Sequence, residues 1–288
     1  MVLIERAPAK INLSLHVRAR RADGWHDLES LVAFAGAADL LQLDPREELC
    51  LKVEGPNAQA AGPLDDNLVL KAARALQVLI PDLRTGHFHL LKRLPAAAGI
   101  GGGSSDAAAA LRLLARLNEI SLNDPRLYAA AGEIGSDVPV CLDPHARMML
   151  GRGDELGGRL VLPPLFAVLL NPGVGLETRR VFAEMGYAPG DVSPFGPHPD
   201  IGLETYAGLS AKLKLARNDM EDAASVLAPI IGHALSVLGA APGASLARMS
   251  GSGATCFALF ADCRAAARAA KAIRRHHPEW WVKATLLR

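Results

Sequence analysis

Cysteine is scarce in this chain. The four present among 288 residues, Cys50, Cys141, Cys256 and Cys263, form no C-x-x-C pair and no zinc spacing. That argues against a structural metal knot and fits a reduced, cytoplasmic setting. An excess of one charge is missing too, with 31 Lys+Arg against 30 Asp+Glu and a formal net charge of +1. A general polyanion binder is therefore disfavoured, nucleic acid included, and any phosphate affinity must be local. The longest apolar run, Leu160 to Leu170, is broken by Pro163 and Pro164 and is too short to span a bilayer. The opening MVLIERAPAK lacks the apolar core of a signal peptide. No His, Cys and carboxylate set shows metal-ligand spacing, so no resident metal is expected. His87 and His89 alternate on a strand pattern and His276-His277 ends a basic helix, which leaves all four structural or solvated. No internal repeat or low-complexity tract stands out beyond richness in alanine.

What is present suits a large core: 50% of the residues are hydrophobic and 21% charged, and the length favours two domains. Ile11, Leu13, Leu15 and Val17 alternate with Lys10, Asn12, Ser14 and His16, which predicts a strand with one buried face. RADGWHD, residues 21–27, reads as a turn carrying an aromatic ring. Asp65-Asp66-Asn67 precedes the helical pattern LVLKAARALQVL as a cap. A helix is expected over Asp106 to Leu117, and further helical patterns run over 204–215 and 219–238. The glycine-rich stretch 151–158 reads as a linker, which puts a domain boundary at 155/156.

The densest signal is PAAAGIGGGSSDAAAALRLL, residues 95–114. Gly99, Gly101, Gly102 and Gly103 tolerate positive φ and let a ligand reach the backbone. The helix that follows offers unpaired N–H groups and the positive end of its dipole, which together favour an anion. Ser104 and Ser105 add hydroxyls that suit phosphate or magnesium. Two familiar phosphate loops fail: no lysine follows the glycines, and the dinucleotide pattern breaks at Ser104. Alone, the stretch is also compatible with a flexible turn capped by Ser or Asp.

PAKINLSL near the start, LPAAAGIGGGSSDAAAAL in the middle and MSGSGATCFALF near the end occur in that order. This arrangement resembles the GHMP kinase superfamily of small-molecule kinases. PAKINLSLHVRARRADGWHDLESL, DDNLVLKAA, GSDVPVCL and RNDME are similar to the branch that acts on a cytidyl diphosphate substrate. The resemblance covers most of the chain and is weakest over 157–211. It implies an α+β fold of two domains, an N-terminal nucleotide-binding domain over 1–155 and a ferredoxin-like C-terminal substrate domain over 156–288. It implies transfer of the γ-phosphate of ATP to the 2-hydroxyl of 4-diphosphocytidyl-2-C-methyl-D-erythritol, in non-mevalonate isoprenoid biosynthesis. Magnesium would arrive with ATP, and no obligate protein partner is implied.

The same resemblance implies Lys10 and Asp137 as the catalytic pair. By composition alone each would be an ordinary lysine or a loop aspartate. It implies nucleotide contacts from Pro95, Gly99, Ile100 and Gly101 through Ser105. The second glycine loop, Gly251, Ser252 and Gly253, is assigned with them, its small residues packing on the first loop to close the site, or is a plain hairpin turn. Asn67 either touches the adenine or caps its helix, and Lys92 either steers the nucleotide or flanks a strand. For the acceptor, Trp25 offers a flat face to a pyrimidine and His26 polar edges beside it; the other reading of Trp25 is a hydrophobic anchor for the turn. Asn12, Thr178 and Phe182 complete that set. Two other readings stay open: a GHMP kinase for mevalonate, homoserine or a sugar, and a non-catalytic nucleotide sensor.

Overall fold

A computed structural model describes residues 1–202 and 205–288. In chain order the strands and helices begin with β1 (Leu3–Asn12), β2 (His16–Arg20), β3 (His26–Pro45), β4 (Cys50–Glu54), α1 (Leu68–Leu79) and β5 (Gly86–Leu91). Then come α2 (Gly102–Leu117), α3 (Pro125–Ile134), α4 (Val138–Leu142), β6 (Arg147–Gly151), β7 (Glu155–Leu156) and β8 (Leu165–Asn171). The chain continues with α5 (Thr178–Glu184), α6 (Tyr206–Leu215), α7 (Glu221–Leu227), α8 (Ile230–Gly239), β9 (Ala244–Met249), β10 (Cys256–Phe260), α9 (Cys263–His276) and β11 (Trp281–Leu287). The expected helix start at Glu204 lies outside the described residues.

Two compact units interleave along the sequence. One comprises Met1–Lys10, Ala37–Ala96 and Gly101–Pro144; the other comprises Ile11–Gly36, Ala97–Ile100 and His145–Arg288. In the first unit, β5 pairs antiparallel with the end of β3 and parallel with β4. Four helices, α1 to α4, pack on one another there. Their caps follow the sequence: Asn67 accepts from the Val69 amide, and Asp124, ahead of Pro125, from the Arg126 amide. Helix α2 is buried from Ser105 to Ala115. Four successive alanines, 107–110, let neighbouring helices come close on every side of it. It starts at Gly102, four residues earlier than the sequence predicts. Packing overrides the low helix propensity of two glycines and two serines.

In the second unit, β11, β8, β10 and β9 lie side by side in that order, antiparallel at each step. Numbered by sequence as β8, β9, β10 and β11, this is the 4-1-3-2 order of a ferredoxin-like sheet. Phe260, Val168, Leu170, Ile231 and Ile273 lie in its core. The helical pattern over 219–238 is two helices, because Pro229 ends the first and opens the second. The glycine-rich stretch 151–158 is not a free linker: it holds the turn and second strand of a hairpin, β6–β7, whose first strand pairs with β3. The strand pattern at 10–17 also differs from expectation. Its apolar residues are buried, but so are Lys10, Asn12, Ser14 and His16. Burying a polar face needs a partner for each group. Asn12 donates to Ser30, Ser14 bonds His198, and His16 accepts from the Arg217 amide.

Candidate active site

In the first unit the glycine stretch turns into α2 at Gly101, whose φ of 59° is left-handed. No side chain caps this helix, and its first turn holds no acidic residue. The amides of Gly102, Gly103 and Ser104 therefore keep their donors for a ligand, with the helix dipole behind them. A Cβ on Gly101 would lie 3.4 Å from both Cβ and Cε of Lys10, so the stem of Lys10 runs across this turn. The two serines differ. Ser105 is buried and donates to the Pro8 carbonyl at 2.8 Å, which ties α2 to β1. Ser104 is only half-buried.

Lys10 is 4% exposed, and its Nζ lies 3.0 Å from Oδ1 of Asp137, which is 38% exposed. Asp137 stands at the N-cap of α4 yet makes no capping bond with its side chain. Its carboxylate is turned to the lysine instead. One member of the pair is sunk in the protein and the other is open to an incoming group. An ammonium here stabilises negative charge forming beside it. An ionised carboxylate can take a proton from a hydroxyl as that oxygen is phosphorylated. The neighbouring Cys141 thiol is inert, pushed up to about 12 by burial and then by the charge of Asp137.

Lys92 is 3% exposed and caged, with its Nζ 2.5 Å from Asp39 and 2.6 Å from Asp106. Asp39 also accepts from the amides of Arg93 and Leu94. A Cβ on Gly102 would meet the Lys92 ammonium at 3.3 Å and the Pro95 carbonyl at 3.7 Å, so the cage lies against the first turn of α2. Burial works against the charge on Lys92, but the two carboxylates outweigh it and raise its pKa. Burial pushes Asp106 up to about 8, with Lys92 opposing and Asp39 adding to the shift. One ammonium between two carboxylates leaves a buried net charge, and a single retained proton removes it. Asp39 and Asp106 were not singled out from the sequence. The signal was there: an aspartate inside AADLLQL and another opening DAAAAL each sit in an apolar run and demand a partner. Asn67 uses its side-chain oxygen to cap α1. The next residue, Leu68, would lie 3.3 Å from a Cβ on Gly103, so the start of α1 abuts the glycine turn.

In the second unit the other half of the glycine stretch meets the second glycine loop. A Cβ on Gly99, at φ 70°, would strike the Ser250 carbonyl and the backbone of Gly253, within 2.7 Å of each. Ser250 donates to the Gly99 carbonyl and accepts from the Asn12 amide, and Thr255 donates to the Ala98 carbonyl. Ile100 is fully buried. Ser252 and Thr178 share a hydroxyl hydrogen bond of 2.8 Å. The RNDME segment clamps this region. Asn218 donates to the Met249 and Gly251 carbonyls, Asp219 accepts from the Val17 amide, and Glu221 from the Met249 amide.

His26 stacks on Phe182, with ring centroids 4.1 Å apart and planes 9° from parallel. Burial lowers the His26 pKa, and Arg20 adds to this, so the ring is neutral near pH 7. Its Nε2 is buried and, among the described residues, has no hydrogen-bond partner. Trp25 is 53% exposed, which does not suit a hydrophobic anchor. The Arg152 guanidinium lies 5.1 Å from its ring centroid. Sequence reading did not pick out Arg152, which sits in the turn taken for a linker.

Among the described residues no group of three or more His, Cys, Asp or Glu gathers as a metal site, and no helix is long and apolar enough to cross a membrane. The model of the GHMP kinases N terminal domain matches residues 67–143, and that of the GHMP kinases C terminal domain matches residues 205–279. A 4-diphosphocytidyl-2-C-methyl-D-erythritol kinase of Methylobacterium radiotolerans is 60% identical, with 100% of this chain and 99% of that one covered. One of the same description from Xanthobacter autotrophicus is 58% identical over 98% of each chain. A crystal structure of a 4-(cytidine 5'-diphospho)-2C-methyl-D-erythritol kinase superposes with a TM-score of 0.76 at 34% identity, covering 99% of both chains. With both of its domain models matched and full-length relatives this similar, the chain belongs to the GHMP kinase family.

Proposed function

We propose that this kinase transfers the γ-phosphate of ATP to the 2-hydroxyl of 4-diphosphocytidyl-2-C-methyl-D-erythritol, giving the 2-phosphate, in the cytoplasm. The choice of acceptor rests on what the full-length relatives are called. The chemistry rests on one observation, the Lys10–Asp137 pair beside an uncapped glycine turn. The amides of Gly102, Gly103 and Ser104 receive the phosphates, with Gly101 and Pro95 shaping the turn. Their geometry fits such a group, because no side chain caps the helix start. Magnesium arriving with the nucleotide would neutralise phosphate charge, and the half-buried Ser104 hydroxyl would be the one to hold it. Ser105 and Lys92 act from behind this surface, through their bonds to Pro8 and to the two aspartates.

Asp137 takes the hydroxyl proton late in transfer, and Lys10 stabilises the charge that builds on the oxygens. His26, held flat against Phe182, is assigned to the polar edge of cytosine, while Trp25 offers its ring face. Asn12 and Thr178 are further assigned to the acceptor. Asn67 is assigned to the adenine, and Gly99, Ile100, Gly251, Ser252 and Gly253 to the nucleotide. The ATP-binding part spans 1–155 and the substrate part 156–288 in this reading. The test is ADP release from the purified protein with ATP, magnesium and a panel of alcohols. The cytidyl acceptor should support turnover, and mevalonate, homoserine and galactose should not. Faster turnover with an alcohol that carries no base would overturn the reading.

A further inference from the structure

We infer that Arg112 is a positioning residue for the Lys10–Asp137 pair, fixing the strand that carries the lysine to the helix that carries the aspartate. The inference rests on the proposed catalytic role of that pair. Arg112 sits on α2 among alanines and leucines and is buried. Its Nη1 donates to the Cys141 carbonyl at 2.6 Å and its Nη2 to the Arg6 carbonyl at 2.7 Å. Its Nε faces a Glu5 carboxylate oxygen at 3.4 Å. Arg6 precedes Lys10 on β1, and Cys141 follows Asp137 in the last turn of α4. One planar side chain thus holds both elements.

The choice of residue needs a reason. Burial lowers the pKa of Arg112, so its charge is kept against desolvation, with Glu5 opposing the shift. A leucine would suit the alanine-leucine surroundings without that penalty. A leucine cannot bridge two backbone carbonyls, and a lysine cannot offer two donors in a rigid fork. The rest of α2 works in the same direction. Ser105 holds the Pro8 carbonyl, and Gly101 gives passage to the stem of Lys10. Helix α2 therefore meets β1 near residues 6, 8 and 10, and α4 near residue 141. The Cys141 thiol also feels the charges of Asp137, Lys10 and Arg112.

The test compares Arg112→Met and Arg112→Lys with wild type in single-turnover phosphoryl transfer, normalised to folded protein by circular dichroism. A misplacement of the pair by about 1 Å should lower kcat by ~10–100-fold in the methionine variant and less in the lysine variant. KM for ATP and for the acceptor should stay within about twofold, which a general loosening of the unit would not preserve. In an Asp137→Asn background the methionine change should add little, because the two act as a unit. If Arg112→Met does not fold, Arg112→Lys carries the comparison. Wild-type kcat in Arg112→Lys, parallel rises in KM, or an undiminished further loss in the Asp137→Asn background would each overturn the inference. If Asp137→Asn itself turns over normally, the reading of the pair fails and the inference falls with it. If Asp137→Asn is slow and Arg112→Lys is normal, only the role of Arg112 is removed.

Discussion

Raising the pH from 6 to 8 should weaken the fold through one carboxyl group, Asp106. Its pKa in the folded chain is about 8, raised by burial, against 3.8 when unfolded. Between those values the folded chain holds a proton that the unfolded chain has released. The contribution is fully present below pH 3.8 and is lost as the pH rises toward 8. Well below pH 8 each pH unit removes about 1.4 kcal/mol, and the loss shrinks as the pKa is reached, so the step from 6 to 8 removes about 2 kcal/mol. For a chain of this size that is roughly 4–8 °C in Tm. Asp106→Asn keeps the shape and an acceptor for Lys92 but has no proton to lose. Any cost of its extra N–H would be a constant offset, not a slope. Thermal melts of wild type and variant at pH 6, 7, 8 and 9 check this. The wild-type Tm should fall relative to the variant up to pH 8 and level off by pH 9. Curves that run parallel from pH 6 to 9 would show that the cage carries no extra proton.

Asp137→Asn should slow single-turnover phosphoryl transfer by ~10²–10⁴-fold, the usual loss for one acid–base group, with little change in KM for ATP. Trp25→Ala should weaken acceptor binding by about 1–3 kcal/mol in calorimetry, and Trp25→Tyr should restore most of it; equal affinities would take the ring out of base stacking. His16 has its pKa lowered to about 3, by burial first and then by the nearby Arg217. Its neutral ring stabilises the fold above pH 6.5, and that support is lost as the pH falls toward 3. His16→Gln, which can still accept from the Arg217 amide, should therefore unfold at a lower pH in an acid titration followed by circular dichroism.

The alternation at 10–17 was legible as a buried apolar face. The break that divides it between the end of β1 and the start of β2, with residues 13–15 between them, was not. Its polar face was legible as polar but not as buried, since Ser30, His198 and Arg217 come from elsewhere in the sequence. The helix after the glycines was legible in its alanines and leucines. Its true start was not, because Gly102 and Gly103 are held helical by their surroundings and not by their own preference. The glycine turn declared an anion site through local chemistry alone. Lys10 and Asp137 did not declare themselves: nothing local brings residue 10 to residue 137, and only the family resemblance paired them. The cage around Lys92 and the fork of Arg112 went unread for a related reason. Each is a charge buried in an apolar stretch, and sequence shows the need for a partner but not which one.

Strand β11 has a consequence for how the chain is made. It lies between β3 and β8, so residues 281–287 fill an inner position of the sheet. Residues 165–171 of β8, which pair with β11 along their whole length, leave the ribosome long before them. Until residues 281–287 arrive, β8 presents an open edge in a nascent chain, the kind of surface that pairs with other chains. Pairings this distant in sequence are slow to close. Synthesis of this kinase should therefore lean on chaperones that shield strand edges, and a ribosome stalled before residue 281 should release a product that aggregates rather than one that works slowly.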